Sequence, residues 1–329
     1  MSSGRILLTG ATGFVGDAVY PMLRARGWQV TCATRSPQAA RARQPDRRWV
    51  HLDVDDPRTL APALIGHHAS LYLIHGMRGA RGEYIEQEAL AAERFGLAAK
   101  EAGLQRVVYL GGILPQGPVS THLASRIEAG RALRQAFAQT VELRASMIVG
   151  PRSESWMMVR DLATRLPALV LPAWTESRTQ PIAVEDIVFA LVESLALPAS
   201  CAGVYDAPGP ETLSGHQILT RIARAQGQNP YVVRVPHLAP VWTQPWLGWL
   251  TRADKRIARE LVHGLTSDIV SHGRQIWTEI PSHARVSFDE AVRRALRDEC
   301  AFLSWRARVM ESVMHRFTRK TDGNAPRLR

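Results

Sequence analysis

The sequence predicts an α/β protein built on a parallel sheet wound on both faces, and three observations carry that expectation. Short apolar, strand-like runs alternate with helical patterns over the first 150 residues; one strand ends in a glycine turn that restarts as a helix; and the alternation breaks after Pro151. Buried strands separated by helices require helices on both faces of a parallel sheet. A chain of 329 residues holds one such domain together with a smaller lobe.

The first strand is expected over Ile6–Thr9 and the first helix over residues 14–26. Pro21 inside that helix removes a backbone hydrogen bond, at about 3 kcal/mol in a neutral context, so packing outweighs it or the helix bends there. Further strands are expected at Gln29–Thr34, Trp49–Val54, Leu71–His75, Arg106–Leu110 and Glu142–Val149, with helices near 58–65, 83–102 and 123–138. In the helix over 83–102, Ile85, Ala89, Ala92 and Leu97 fall near one stripe, while Glu86, Glu93 and Lys100 face water.

Beyond Pro151 helices are joined by Pro-rich connections. The expected organisation is a dinucleotide-binding core over 1–150, and a smaller, mostly helical substrate lobe over 151–299. "QPIAVEDIVFALVESL", about 180–197, returns to the core, and a basic helical extension with a polar tail fills 300–329.

Composition narrows the classes. Hydrophobic residues make up 46% and charged residues 22%, ordinary values for a soluble enzyme. No apolar run reaches the roughly 18 residues of a spanning helix, and Ile6 already lies in a strand, so the expected location is the cytoplasm. Cys32, Cys201 and Cys300 are few, odd in number and far apart, which supports neither a disulfide framework nor a metal site. The net charge of +11 comes from scattered arginines without an aromatic-interleaved module, so no specific nucleic-acid partner is expected.

"TGATGFVG", residues 9–16, sets Gly10, Gly13 and Gly16 between a strand and a helix. The first glycine turns the chain, the second admits a pyrophosphate to the backbone, and the third lets helix and strand pack closely. The phosphates then meet the N–H groups of Thr12, Phe14, Val15 and their neighbours at a helix N-terminus. A Rossmann-type dinucleotide site is therefore expected.

Its specificity is read at the end of the second strand, where an NAD site places an acid for the ribose 2′-hydroxyl. Here "CATRSP" offers Arg35, which suits a 2′-phosphate, with Arg41 or Arg43 assisting, so NADP(H) is favoured over NAD(H). Asp53 and Val54 fall where adenine is contacted, and His75, Gly76 and Met77 run beneath the ribose. His75 also fits a packing residue at a strand end.

The glycine turn with "HLDVDD", "LYLIHGM", "RVVYLGG", "LRASMIVGP" and "QPIAVEDI" resembles the extended short-chain dehydrogenase/reductase superfamily. The nearest resemblance is to its atypical NmrA-like, NAD(P)H-binding (YbjT-like) branch, from about residue 4 to 297. The resemblance implies a Ser or Thr after strand 5 and a Tyr-x-x-x-Lys pair opening the next helix. In that pair the tyrosine exchanges a proton with the substrate oxygen, and the lysine lowers its pKa and binds the nicotinamide ribose.

This chain departs from that pattern. Gly111 and Gly112 stand where the hydroxyl is expected, and only His122 and Arg126 keep the Tyr/Lys spacing. Arg126 preserves the charge and a ribose contact but does not release a proton near neutrality. His122 is an acid or base of far lower pKa than a phenol, or simply a helix-start residue. Ser120 and Thr121 read as caps for that helix rather than nucleophiles.

Two function classes follow: an NADP-dependent oxidoreductase acting on a small, apolar carbonyl, enone or quinone without the Tyr–Lys relay, or a non-catalytic NADP(H)-binding redox sensor or assembly factor. Trp242, Trp246 and Trp249 precede the basic stretch "TRADKRIAR". They fit packing of the lobe, an apolar substrate pocket, or a peripheral contact with an anionic membrane.

Overall fold

The computed structural model describes residues 4–75, 83–165, 168–172, 176–228, 231–235 and 267–302. Its centre is a seven-stranded sheet of β1 (Arg5–Leu8), β2 (Gln29–Thr34), β3 (Arg48–His51), β4 (Ala69–Tyr72), β5 (Arg106–Gly112), β6 (Thr140–Ala145) and an edge strand Gly203–Asp206. Every neighbouring pair is parallel. The spatial order places β3, β2 and β1 on one side and β4, β5, β6 and the edge strand on the other. The winding reverses between β1 and β4, and ligands of such sheets bind outside the strand ends at that reversal.

Alternation along β1 explains the two layers. Ile6 and Leu8 face one side, where α1 (Phe14–Ala25) contributes Val19 and Leu23, and α7 (Val184–Glu193) contributes Ile187 and Leu191. Leu7 faces the other side, with Phe95 of α4 (Glu83–Glu101) and Leu133 of α5 (Thr121–Ala136). Tyr72 meets Phe95 there with ring centroids 4.7 Å apart. Strands covered on both faces carry few polar side chains, which is why β1 and β5 read as near-continuous apolar runs, while Ser70, buried in β4, donates its hydroxyl to the Leu7 carbonyl at 2.9 Å.

Between β2 and α4 lie α2 (Pro37–Arg43) and α3 (Leu60–Leu64). After β6 the chain forms β7 (Ile148–Val149), α6 (Glu154–Arg165), β8 (Ala168–Pro172), β9 (Arg178–Thr179) and β10 (Ile182–Ala183), the last leading into α7. The edge strand is β11; then follow β12 (Leu213–Ser214), α8 (Gly215–Ala225), β13 (Tyr231–Val235) and α9 (Phe288–Phe302). Trp156, Ile222, Phe288 and Val292 form a separate apolar cluster among α6, α8 and α9. Arg160 is buried beside it, held by Asp161 and Glu299.

Several boundaries differ from the sequence expectation. Glu142–Val149 is two strands, because β7 leaves the main sheet to pair with β10 and Ser146 at the break donates its hydroxyl to the Gln180 carbonyl. Trp49–Val54 contracts to β3, since beyond Leu52 the backbone is taken up by Thr59, whose hydroxyl accepts from Asp53 N–H at 3.0 Å. Leu71–His75 shifts to β4, because Leu73 N–H turns to the Thr9 hydroxyl at 3.0 Å. The later lobe also carries three two-stranded pairings, β7 with β10, β9 with β12 and β8 with β13, where mostly helices are expected. Pro21 lies on the exposed side of α1, which continues through it to Ala25.

Ser120 is the N-cap of α5, its hydroxyl accepting Leu123 N–H at 3.3 Å. Ser120→Ala is expected to cost about 1 kcal/mol, read as a lower urea midpoint with an unchanged slope.

Candidate functional site

Thr9 ties the two sides of the winding reversal together: its hydroxyl donates to the Leu71 carbonyl at 3.0 Å and accepts from Leu73 N–H. Gly10 follows with φ of 62°, a left-handed conformation that glycine alone takes without strain. A Cβ on Gly10 would lie 2.4 Å from the Leu73 carbonyl oxygen, and one on Gly16 would lie 2.2 Å from the Gly10 carbonyl oxygen. Both glycines are demanded by the close approach of backbone to backbone. Gly13 is the N-cap of α1 and no side chain caps it, so the first N–H groups of the helix remain for an anion.

These groups open onto a cavity of about 800 Å³. Gly10, Thr12 and Gly13 line its floor; Arg35 stands at the end of β2, Asp53 and Val54 after β3, and Leu73, Ile74 and His75 after β4. The Arg35 side chain makes no hydrogen bond or ion pair among the described residues. Asp17 in the first turn of α1 is neutralised by Arg47 at 2.7 Å and Arg152 at 2.8 Å, so no lone carboxylate opposes a phosphate there. An uncapped helix start, the contact-forced turn at Gly10 and an unpaired guanidinium in one cavity fit a dinucleotide phosphate chain.

The structure thus brings together Gly10, Thr12, Gly13, Arg35, Asp53, Val54 and His75. Phe14, Val15 and Gly16 lie just behind in α1 and do not line the cavity, and Arg41 and Arg43 fall on α2. Gly76 and Met77 lie outside the described residues, as do Trp242, Trp246, Trp249 and residues 303–329.

At the far end of the cavity three elements converge. His75 Nε2 lies 3.0 Å from His122 Nδ1, with the rings edge-on and their centroids 4.4 Å apart. His75 Nδ1 lies 3.3 Å from Glu88 Oε1 on α4. The other Glu88 oxygen accepts the hydroxyl of Ser125, one turn beyond His122 on α5. Burial, then the neighbouring His75 and Arg126, hold the His122 pKa down to about 3. That ring is uncharged at neutral pH.

Arg126 is turned away from the cavity. Its guanidinium donates to the Leu110 carbonyl at 2.7 Å, and Tyr109 donates its hydroxyl to the Arg126 carbonyl at 2.9 Å. In this arrangement Arg126 joins α5 to the end of β5. Glu88 and Ser125 are the residues that sequence reasoning passed over; the one available signal is that Ser125 sits three residues after His122, on the same helix face.

No helix among the described residues is long and apolar enough to cross a membrane, and no described cluster of His, Cys, Asp or Glu matches a metal site.

Comparison with known proteins agrees with this geometry. Residues 10–160 match the NAD(P)H-binding family. A ceramide reductase of Caulobacter vibrioides (strain NA1000 / CB15N) is 26% identical over 239 residues, 71% of this chain and 74% of that protein. Triphenylmethane reductase of Citrobacter sp., solved with NADP(H), superposes with a TM-score of 0.70 at 16% identity, over 88% of this chain and 99% of that one. The Bordetella bronchiseptica enzyme WbmH, solved with NAD+, superposes with a TM-score of 0.64 at 15% identity, over 89% and 97%. The same fold accommodates both dinucleotides.

Proposed function

We propose that the protein, whose residues 10–160 match the NAD(P)H-binding family, is an NADP(H)-dependent oxidoreductase reducing a carbonyl, enone or quinone of a small apolar compound. The observation that carries the proposal is the continuity of one cavity from Arg35 and Asp53, across the glycine turn, to His75 and Glu88. Its volume of about 800 Å³ leaves room for a dinucleotide, and the titratable groups His75 and Glu88 line it at a distance from Arg35 along the strand ends.

In this reading the Gly10–Gly13 backbone and the start of α1 bind the pyrophosphate, and Arg35 pairs with the 2′-phosphate. Asp53 and Val54 border the adenine, and Leu73–His75 lie beneath the nicotinamide ribose. A reduced dinucleotide supplies hydride when bound; the protein's part is to orient the acceptor and hold a proton for the oxygen. The apolar substrate class is supported by the relative named ceramide reductase.

The test is oxidation of NADPH by the pure full chain against a panel of quinones, enones, aldehydes and long-chain ketones, including an N-acylated 3-keto amine. Turnover with any probe, weakened in Arg35→Ala, is the expected result. The loss of both Tyr and Lys from the expected relay positions favours a second reading, an NADP(H)-binding sensor or assembly factor. Tight NADPH binding without turnover across the panel would replace the first reading by the second.

A further inference from the structure

We propose that Glu88, His75 and His122 form a proton-delivery chain to the substrate oxygen, taking the place of the missing Tyr–Lys pair; this rests on the oxidoreductase reading above.

The geometry is directional. His75 uses both ring nitrogens, Nδ1 toward Glu88 and Nε2 toward His122 Nδ1. His122 is not among the residues that line the cavity, but its ring is only partly buried and its Nε2 makes no hydrogen bond among the described residues, which leaves that nitrogen as the end of the chain. His122 stands second in α5, at the position where the resemblance places the tyrosine. Glu88 is fixed from its other side by Ser125, so α5 positions both the terminal ring and the carboxylate that anchors the chain. Glu88 and His75 line the cavity, so the chain runs along its wall.

A lone His122 would serve badly as a donor, because burial and the adjacent Arg126 oppose its positive form. The chain removes that difficulty by keeping the charge on His75, against the Glu88 carboxylate. In the loaded state His75 carries protons on both nitrogens, and neutral His122 carries its proton on Nε2. Hydride delivery to a carbonyl carbon breaks the C=O π bond and leaves an oxyanion. The oxyanion takes the Nε2 proton of His122, and His122 Nδ1 takes the Nε2 proton of His75.

The products are the alcohol and the oxidised dinucleotide, with two neutral imidazoles; the loaded state returns when His122 Nε2 takes one proton from solvent and His122 Nδ1 gives its proton back to His75 Nε2. His122 changes tautomer and never becomes an imidazolium. In the reverse direction the same neutral His122 accepts the alcohol proton at Nε2. His122 is thus the catalytic residue, and His75 and Glu88 act through it.

Two readouts test this. In the first, the full chain with 15N-labelled histidine and bound NADPH is studied by long-range 1H–15N spectra at pH 7, with Glu88→Gln and His75→Gln as variants. The expected result is a proton on His75 Nδ1, a single proton shared between His75 Nε2 and His122 Nδ1, and movement of the His122 signals in Glu88→Gln. An unchanged His122 spectrum in Glu88→Gln, or an unprotonated His75 Nδ1, would overturn the chain.

The second readout uses the probe that wild type turns over best in the panel. His122→Gln and His75→Gln should lower kcat by about 10²- to 10⁴-fold, while the NADPH dissociation constant of His122→Gln stays within about threefold. The dependence of kcat on deuterium fraction should be curved in wild type, with two protons in flight, and linear in His75→Gln. Unchanged kcat in His75→Gln would also overturn the proposal. If no probe is turned over, the oxidoreductase reading falls, and the histidine spectra alone decide whether the chain exists.

Discussion

NADP(H) is expected to bind Arg35→Ala about 10- to 150-fold more weakly than it binds the wild type, while NAD(H) binding stays nearly unchanged. The range follows from charge-assisted hydrogen bonds worth about 1.5–3 kcal/mol between a guanidinium and a phosphate. Arg35 is suited to this partner because it is exposed at the cavity wall and no described carboxylate holds it. It has no competing pair to break when a 2′-phosphate arrives.

Isothermal titration of both dinucleotides into wild type, Arg35→Ala and Arg35→Lys measures the effect. The lysine variant should fall between the other two, since it keeps the charge and loses the planar fork. Equal wild-type affinity for NADPH and NADH would remove the 2′-phosphate assignment. Equal losses for both in Arg35→Ala would move Arg35 to the pyrophosphate.

The parts of the fold legible in the sequence are those with strong local physics. Ile6–Leu8 and Val107–Leu110 are buried on both faces, so an unbroken apolar run was enough to identify them. Gly10 and Gly16 were legible because only glycine fits where their Cβ atoms would meet backbone oxygens. The edge strand Gly203–Asp206 gave a weaker signal, being four residues long with two of them half-buried.

Site residues followed the same rule. Arg35 stands on a strand end fixed by its own segment, so its place was readable. Glu88 reaches His75 only because α4, α5 and the end of β4 are packed together, and no local pattern in "EYIEQEAL" encodes that meeting. Arg126 kept the spacing of a ribose-binding lysine, yet the open carbonyls at the end of β5 are nearer partners for its fork.

Glu142→Gln is expected to lower the unfolding free energy by about 3–5 kcal/mol, the usual cost of removing one partner of a buried ionic cluster. Glu142 on β6 is 1% exposed and pairs with Arg134 of α5 and with Arg144, whose Nε donates to Oε1 at 2.7 Å. Burial also pushes the pKa of both arginines down, so each depends on the carboxylate for compensation. The contact is tight: a Cβ on Gly130 would lie 2.6 Å from Glu142 Oε2, which lets α5 sit close to the sheet. Glutamine keeps the shape and removes the charge, leaving two half-buried guanidinium groups facing each other.

Urea unfolding at pH 7 reads the loss as a lower midpoint at constant slope. The triple variant Glu142→Leu/Arg134→Met/Arg144→Met should recover most of it, because an apolar cluster of similar volume carries no unpaired charge. A loss below about 1 kcal/mol in Glu142→Gln would make these pairs equivalent to surface ones, and the docking of α5 would then rest on the Gly130 approach. A loss in the expected range means that the helix presenting His122 is held to the sheet by charge as well as by packing.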